Sequence, residues 1–235
     1  MSDDWEMLAT GFVTGAYATV KGKVRTRVVH EHLLHHLPAP PARLLDVGGG
    51  AGHQSLPLAR LGYQVTVLDA SGRLFEGTLR HGVLMYLVDP APLLRSLSTC
   101  TAPGGVVSVL ALNARTMAVR PALERRFADA RAAFDATTEQ GVLGVPTRSD
   151  TVAALSSHLE AMGVTTEAWY GVWLFSDWLE LAGVPASGDD LRDVAALELE
   201  ASRREPYRQM SRLFHLVGRK TANPSPQWAE ARRPS

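Results

Sequence analysis

Apolar positions in this chain follow two patterns, and the two alternate along its length. Short, nearly unbroken apolar runs occur at RLLDV (43–47), YQVTVLD (63–69) and VVSVLALN (106–113). Runs of that length and continuity read as strands covered on both faces, as in a parallel sheet. TTEAWYGVWLF (165–175) and SRLFHLVGRK (211–220) read as two later strands. Between them lie segments with helical spacing. KGKVRTRVVHEHLLHHL (21–37) is a basic helix that PAPPA (38–42) stops. HQSLPLARLG (53–62) is a helix ended by Gly62, and DPAPLLRSLSTCTAPGG (89–105) one with proline near its start and Pro103-Gly104-Gly105 at its end. Residues 117–137 are helix-prone and highly charged. TRSDTVAALSSHLEAMGV (147–164) predicts a helix capped by Ser149 or Asp150 and stopped at Gly163, and DLRDVAALELEASRRE (190–205) another, with Asp189-Asp190 capping it. Strands alternating with helices predict an α/β fold, a doubly wound, Rossmann-like, mostly parallel sheet with a C-terminal antiparallel strand. The expected organisation is a helical lead-in over 1–40, one domain over 41–220 and a disordered tail over 221–235.

Composition narrows this only a little. The 24 basic and 24 acidic residues cancel, so no global field draws the chain to nucleic acid, although a local patch still can. One cysteine, Cys100, excludes an intrachain disulfide and a cysteine zinc cluster, and fits a reduced, cytoplasmic setting. The acidic start MSDDWEML lacks the features of a signal peptide, and no apolar run reaches the roughly 18 residues of a membrane span.

The chemistry concentrates at the first strand and the turn after it. Asp46, Gly48, Gly50 and Gly52 follow a spacing different from G-x-G-x-x-G, and no P-loop Lys-Ser/Thr follows them. The turn still lets a ligand lie against bare backbone at the carboxyl end of a strand. The second strand ends at Asp69, about 20 residues on, where a carboxylate accepts hydrogen bonds from a ribose diol. An adenosine without phosphates on such a unit points to S-adenosylmethionine. This stretch, with HGVLMYLVDPAPLLRSLSTCTAPGGVVSVLALN (81–113) and LSSHLEAMGVTTEAWYGVWLF (155–175), resembles the class I S-adenosylmethionine-dependent methyltransferases. YATVKGKVR (17–25) and ELEASRREPYRQMSRLFHLVGRK (198–220) resemble the bacterial tRNA 5-carboxymethoxyuridine carboxyl methyltransferases in particular. The resemblance implies that Arg25 helps hold the cofactor and that Arg204 and Tyr207 help seat a modified nucleoside.

Methyl transfer from a sulfonium is an in-line displacement, in which the enzyme holds nucleophile and methyl group at near-attack distance. A carboxylate nucleophile needs no general base, and no catalytic dyad is evident in the sequence. His81 is the candidate to face the methyl group, weighed against a loop histidine that only packs or caps. The C-terminal run of Arg203, Arg204, Arg208, Arg212, Arg219 and Lys220, with Tyr207 and Phe214 between, suits phosphates and a splayed base. The bland alternative is a solvated helix end. His32 and His36, four apart, have no third ligand in view and read as a solvated face rather than a metal site. Trp169, Tyr170, Trp173, Phe175 and Trp178 read as core.

One count disagrees with a complete fold. Asp69 to Gly105 spans about 36 residues, whereas three crossovers and two strands need roughly 40–46. About one strand–helix unit is therefore expected to be missing. The resemblance identifies it as the edge strand that carries the adenine-reading acid, which leaves the second strand as an exposed edge open to self-association. The sequence thus supports a methyltransferase acting on a carboxylate in tRNA or on a small-molecule acid, or a methyltransferase-like binding module that no longer catalyses.

Overall fold

The computed structural model describes residues 19–49, 52–68, 84–141 and 144–221. Asp69, His81, Gly50, residues 1–18 of the lead-in and 222–235 of the tail lie outside the described residues.

Helix α1 (Val20–His36) begins at Thr19, whose hydroxyl accepts from the Gly22 N–H at 3.0 Å. It stops at Leu37, which turns extended because Pro38 follows. Strand β1 (Arg43–Val47), helix α2 (Ser55–Arg60) and strand β2 (Gln64–Leu68) then form one strand–turn–helix–strand unit, with β1 and β2 paired in parallel. After the 3-10 turn Leu84–Tyr86 come α3 (Ala91–Cys100), β3 (Val106–Asn113), α4 (Val119–Leu123), α5 (Phe127–Ala132), β4 (Thr138–Gln140) and β5 (Pro146–Asp150). The chain finishes with α6 (Val152–Glu160), β6 (Val164–Val172), α7 (Phe175–Leu181), α8 (Leu191–Ala201) and β7 (Leu213–Lys220).

A five-stranded sheet, ordered β4-β5-β3-β7-β6, holds the core. Strands β3, β5 and β6 run one way, β4 and β7 the other. The expected C-terminal antiparallel strand is β7, inserted between β3 and β6. Strand alternation sends Phe214 and Leu216 to one face, against Leu94 of α3 and Leu155 and Leu159 of α6. Leu213 goes to the other, against Val24 and Val28 of α1 and Ala195 of α8. Helices therefore cover both faces, as a doubly wound fold requires. Glu198 of α8 is a buried anchor: its carboxylate accepts from the Leu174 and Ser176 N–H groups and the Ser176 hydroxyl.

Several expectations need correction. The single sheet is two among the described residues: β1 and β2 form their own pair, and no described strand joins β1 to β3. No described strand pairs with the outer edge of β2 either. Residues 117–137 are broken into α4 and α5. Ser149 and Asp150 do not cap α6, because they complete β5 against Leu112 and Asn113, and Thr151 accepts from the Ala154 N–H instead. Asp190 does not cap α8 by a side-chain bond, since its carboxylate accepts from the Ser187 N–H and hydroxyl. Trp169, Tyr170, Trp173, Phe175 and Trp178 are each partly buried, and of these Trp169 and Trp173 pack against the core, one on each face of the sheet.

The histidine face on α1 is not solvated. His32 is 3% exposed and packs on the Tyr170 ring, with centroids 3.9 Å apart. Its Nδ1 meets Nδ1 of the buried His215 at 3.4 Å, and its Nε2 meets the Ser202 hydroxyl at 2.9 Å. The direction of this chain is fixed at its end. The Ser202 hydroxyl donates to the Leu199 carbonyl, so it must accept from His32 Nε2–H. His215 then donates from Nδ1 and accepts the Ser108 hydroxyl at Nε2, 2.7 Å away. Burial, with the neighbouring His215, pushes the His32 pKa down to about 2, and burial, with His36, pushes His215 down to about 3. No group of metal-ligating side chains occurs among the described residues.

Candidate functional site

The turn after β1 is built by its glycines. Gly48 and Gly52 both have φ of +74°, a region where a Cβ is strained. The Gly48 N–H donates to the Leu68 carbonyl at 2.7 Å, tying the turn to the end of β2, and the Gly52 N–H donates to Gly49 at 2.8 Å. Gly49 is required for a different reason. A Cβ there would lie 2.5 Å from Asp46 Oδ2 and 2.9 Å from a Val67 methyl. Asp46 itself is held by the Ser55 hydroxyl, which donates to Oδ2 at 2.5 Å.

The unit faces a cleft of about 840 Å³ between β1 and β3. Arg25, Asp46, Gln54, Ser55, Ser108 and His215 are among its lining residues. Arg25 is 6% exposed, and its guanidinium lies over the Trp173 ring, 5.2 Å from the centroid. Gln54 donates to the Thr26 carbonyl at 2.9 Å, while its Oε1 is buried with no hydrogen-bond partner. Burial, and then the Arg25 charge, lower the pKa of His53 and keep it neutral beside the turn. Gln54 and Ser55 were not expected as site residues. The signal for them is a polar pair placed directly after the glycine turn, where a helix start faces the ligand.

The structure places Arg25 and Asp46 in the lining of the cleft, with Gly48 and Gly52 in the turn that follows Asp46. Asp69, Gly50 and His81 lie outside the described residues. Arg204 and Tyr207 are elsewhere, on the outer surface beyond α8. Arg204 is exposed and paired with Glu200 at 2.5 Å, and Tyr207 is half exposed, its ring 6.1 Å from that of Phe175. Lys21 lies over the same Trp173 ring as Arg25, 4.7 Å from its centroid, and pairs with Asp177 of α7.

These residues suit the methionine side of an S-adenosylmethionine. A bare turn admits close approach, Gln54 Oε1 offers an unused acceptor, and Arg25 offers a buried cation. An ammonium and a carboxylate, the two ends of an amino acid, find opposite partners there.

No family profile matches the chain. The tRNA 5-carboxymethoxyuridine methyltransferase of Escherichia coli O157:H7 is 25% identical over 258 residues, covering 92% of this chain and 96% of the relative. That alignment is longer than the 235 residues of this chain although it takes in only part of them, so the relative has positions with no counterpart here. Among solved structures, the S-adenosylmethionine-dependent methyltransferase of Mesorhizobium loti superposes with a TM-score of 0.50 at 16% identity, over 80% of this chain and 96% of its own. The Burkholderia thailandensis 1,6-didemethyltoxoflavin-N1-methyltransferase, solved with bound 1,6-didemethyltoxoflavin and S-adenosylhomocysteine, gives 0.50 at 15% identity over 94% of this chain and 90% of its own. The chain has the Rossmann-like fold of these methyltransferases and resembles the tRNA enzyme over nearly its whole length.

Proposed function

We propose that this protein is an S-adenosylmethionine-dependent methyltransferase that esterifies a carboxylate on a tRNA nucleoside. The observation that carries the cofactor half of the reading is the junction of β1 and α2, where a glycine turn, the held Asp46, the buried Arg25 and the unpartnered Gln54 Oε1 meet. In this reading Arg25, Asp46, Gly48, Gly50 and Gly52 hold the amino-acid portion of the cofactor and Asp69 its ribose. Bound S-adenosylmethionine supplies the electrophilic methyl group. The protein's own task is placement: His81 faces the methyl group, and Arg204 and Tyr207 seat the nucleoside. The tRNA substrate is drawn from the name of the Escherichia coli relative. A cytoplasmic setting belongs to the same reading; no helix among the described residues is long and apolar enough to cross a membrane.

One observation favours a second reading, that of a binding module without catalysis. The sheet is divided beside the cofactor turn, so β1 lacks a described neighbour on the side that faces β3. Calorimetric titration with S-adenosylmethionine and S-adenosylhomocysteine separates the two. Binding below millimolar concentration supports the enzyme, and its absence leaves the module. The tRNA substrate is tested by methyl incorporation into bulk tRNA. Wild-type protein incorporates label and Arg204→Ala incorporates less; equal incorporation removes Arg204 from the site.

A further inference from the structure

A second recess lies at the carboxyl end of β3, away from the glycine turn. Thr116, Arg120, Asp177, Trp178, Met210 and Arg212 line it. Arg120 comes from α4, Asp177 and Trp178 from α7, and Arg212 from the residue that leads into β7. Both guanidiniums are held from behind. Arg120 Nη2 donates to Asp177 Oδ1 at 2.7 Å, and Arg212 Nη2 donates to Glu139. Each nevertheless keeps one buried N–H group with no acceptor: Nε of Arg120 and Nη1 of Arg212. Buried guanidinium donors without partners are uncommon, and two in one recess call for an anionic acceptor.

The surroundings say which acceptor. Asp177 is already committed. Burial pushes its carboxyl up, but Lys21 and Arg120 outweigh that and hold it below the usual carboxylate range, so it stays charged and paired. Asp177 pairs with Arg120 and Glu139 with Arg212, so it is the two unpartnered N–H groups, not a surplus of charge, that ask for an acceptor. The recess is narrow, about 10 Å³, which is room for about one oxygen-sized atom. A carboxylate presents one or two oxygens in a plane, matching guanidinium N–H groups; a phosphate is bulkier in every direction. Trp178, which lines the recess, meets Phe175 edge-on, with centroids 6.3 Å apart and planes at 79°, and Phe175 leads on to Tyr207 at 6.1 Å and 46°, so a ring attached to that carboxylate meets aromatic edges as well as faces. On the inner side, Asp177 leads through Lys21 and Trp173 to Arg25 at the glycine turn.

We propose that Arg120 and Arg212 form a carboxylate-binding subsite for the methyl acceptor, with Trp178, Phe175 and Tyr207 as the platform for its ring. This assignment rests on the methyltransferase reading for its biological role, but the binding itself does not. The probe is phenoxyacetate, an aromatic ring carrying a carboxymethoxy group, and its neutral control is phenoxyacetamide. Titration of the full chain, labelled with nitrogen-15 at arginine, follows the Nε–H resonances, with Arg120 identified by its loss in Arg120→Lys. Phenoxyacetate is expected to move the Arg120 resonance and to bind at least about tenfold tighter than phenoxyacetamide. Arg212→Gln should remove that preference. Equal binding of acid and amide, or an Arg120 resonance that stays still, overturns the subsite. A shift produced by inorganic phosphate at lower concentration than by phenoxyacetate also overturns it, in favour of a phosphate site. The comparison of acid with amide on the wild-type chain needs no variant, so misfolding of Arg212→Gln leaves the test intact. Phenoxyacetate binding without S-adenosylhomocysteine binding would keep the subsite and reject the methyltransferase reading.

Discussion

Strands β1 and β7 look alike as sequences and differ as structures. Both are apolar runs suited to the interior of a sheet. Strand β7 has neighbours on both edges, and Leu213, Phe214, His215, Leu216, Val217 and Gly218 are all buried. Among the described residues strand β1 is paired only with β2, and Leu45 remains 45% exposed. Leu68, at the end of β2, is 58% exposed. An apolar run therefore records what a strand is suited to, while its neighbours decide how much of it is covered. In this chain the half that carries the glycine turn is thinly braced, and the half that carries the arginine recess is fully braced.

Matched truncations break or sharpen that contrast most strongly. Leu216→Ala empties a fully buried site and should cost about 2–5 kcal/mol in a urea titration. Leu45→Ala removes a side chain that is already half in water and should cost under about 1 kcal/mol. Equal costs would mean that β1 is covered in solution by chain outside the described residues or by a second copy.

Acid should distinguish the halves next. His32 and His215 bridge α1 and β7, and burial depresses both, to about 2 and about 3. A depressed folded pKa means that the native state refuses protons which the unfolded chain accepts. Their neutral contribution is complete above the unfolded value near 6.5 and is lost progressively as pH falls below it. Between pH 7 and pH 5 each histidine should remove about 2 kcal/mol of stability. That window lies above the range in which paired carboxylates such as Asp177 titrate. Urea midpoints at pH 7, 6 and 5 measure the total. Hydrogen exchange locates it, with protection at β3 and β7 falling in step. A fall of half that size would show that one of the rings is solvated, and a flat midpoint that neither refuses its proton.

What the sequence revealed follows the range of the interactions. The glycine turn is local, because positive φ at Gly48 and Gly52 and the closeness of Gly49 to Asp46 are properties of a few adjacent residues. Helices on both faces and the last antiparallel strand were also legible, since apolar spacing reports them. The buried histidine chain was not. His32 and His215 are far apart in sequence, and His32 sits in a basic helix that reads as solvated. Arg120 was hidden in the same way, within a charge-rich segment of ordinary appearance, and Arg212 was legible only as one member of a basic run, not as a partner of Arg120. The count past Asp69 predicts a shortage of chain, but no local pattern told that β1 and β3 would lie unpaired with each other among the described strands.

The smallest effect tests the thinly braced half on its own terms. At Gly49 an added Cβ would sit 2.5 Å from Asp46 Oδ2 and 2.6 Å from its Cγ, so the carboxylate must move. Moving it breaks the bond from the Ser55 hydroxyl and displaces the acceptor at the mouth of the turn. Loss of one such charge-assisted bond is worth about 1.5 kcal/mol, or roughly tenfold in affinity. Gly49→Ala should therefore weaken S-adenosylhomocysteine binding about tenfold by calorimetry. The urea midpoint should barely change, because the five-stranded sheet and its two apolar faces contain none of the atoms that move. Unchanged affinity would place the cofactor away from Asp46. A large fall in the midpoint would instead mean that the glycine turn is coupled to the main core, and that the two halves fold as one.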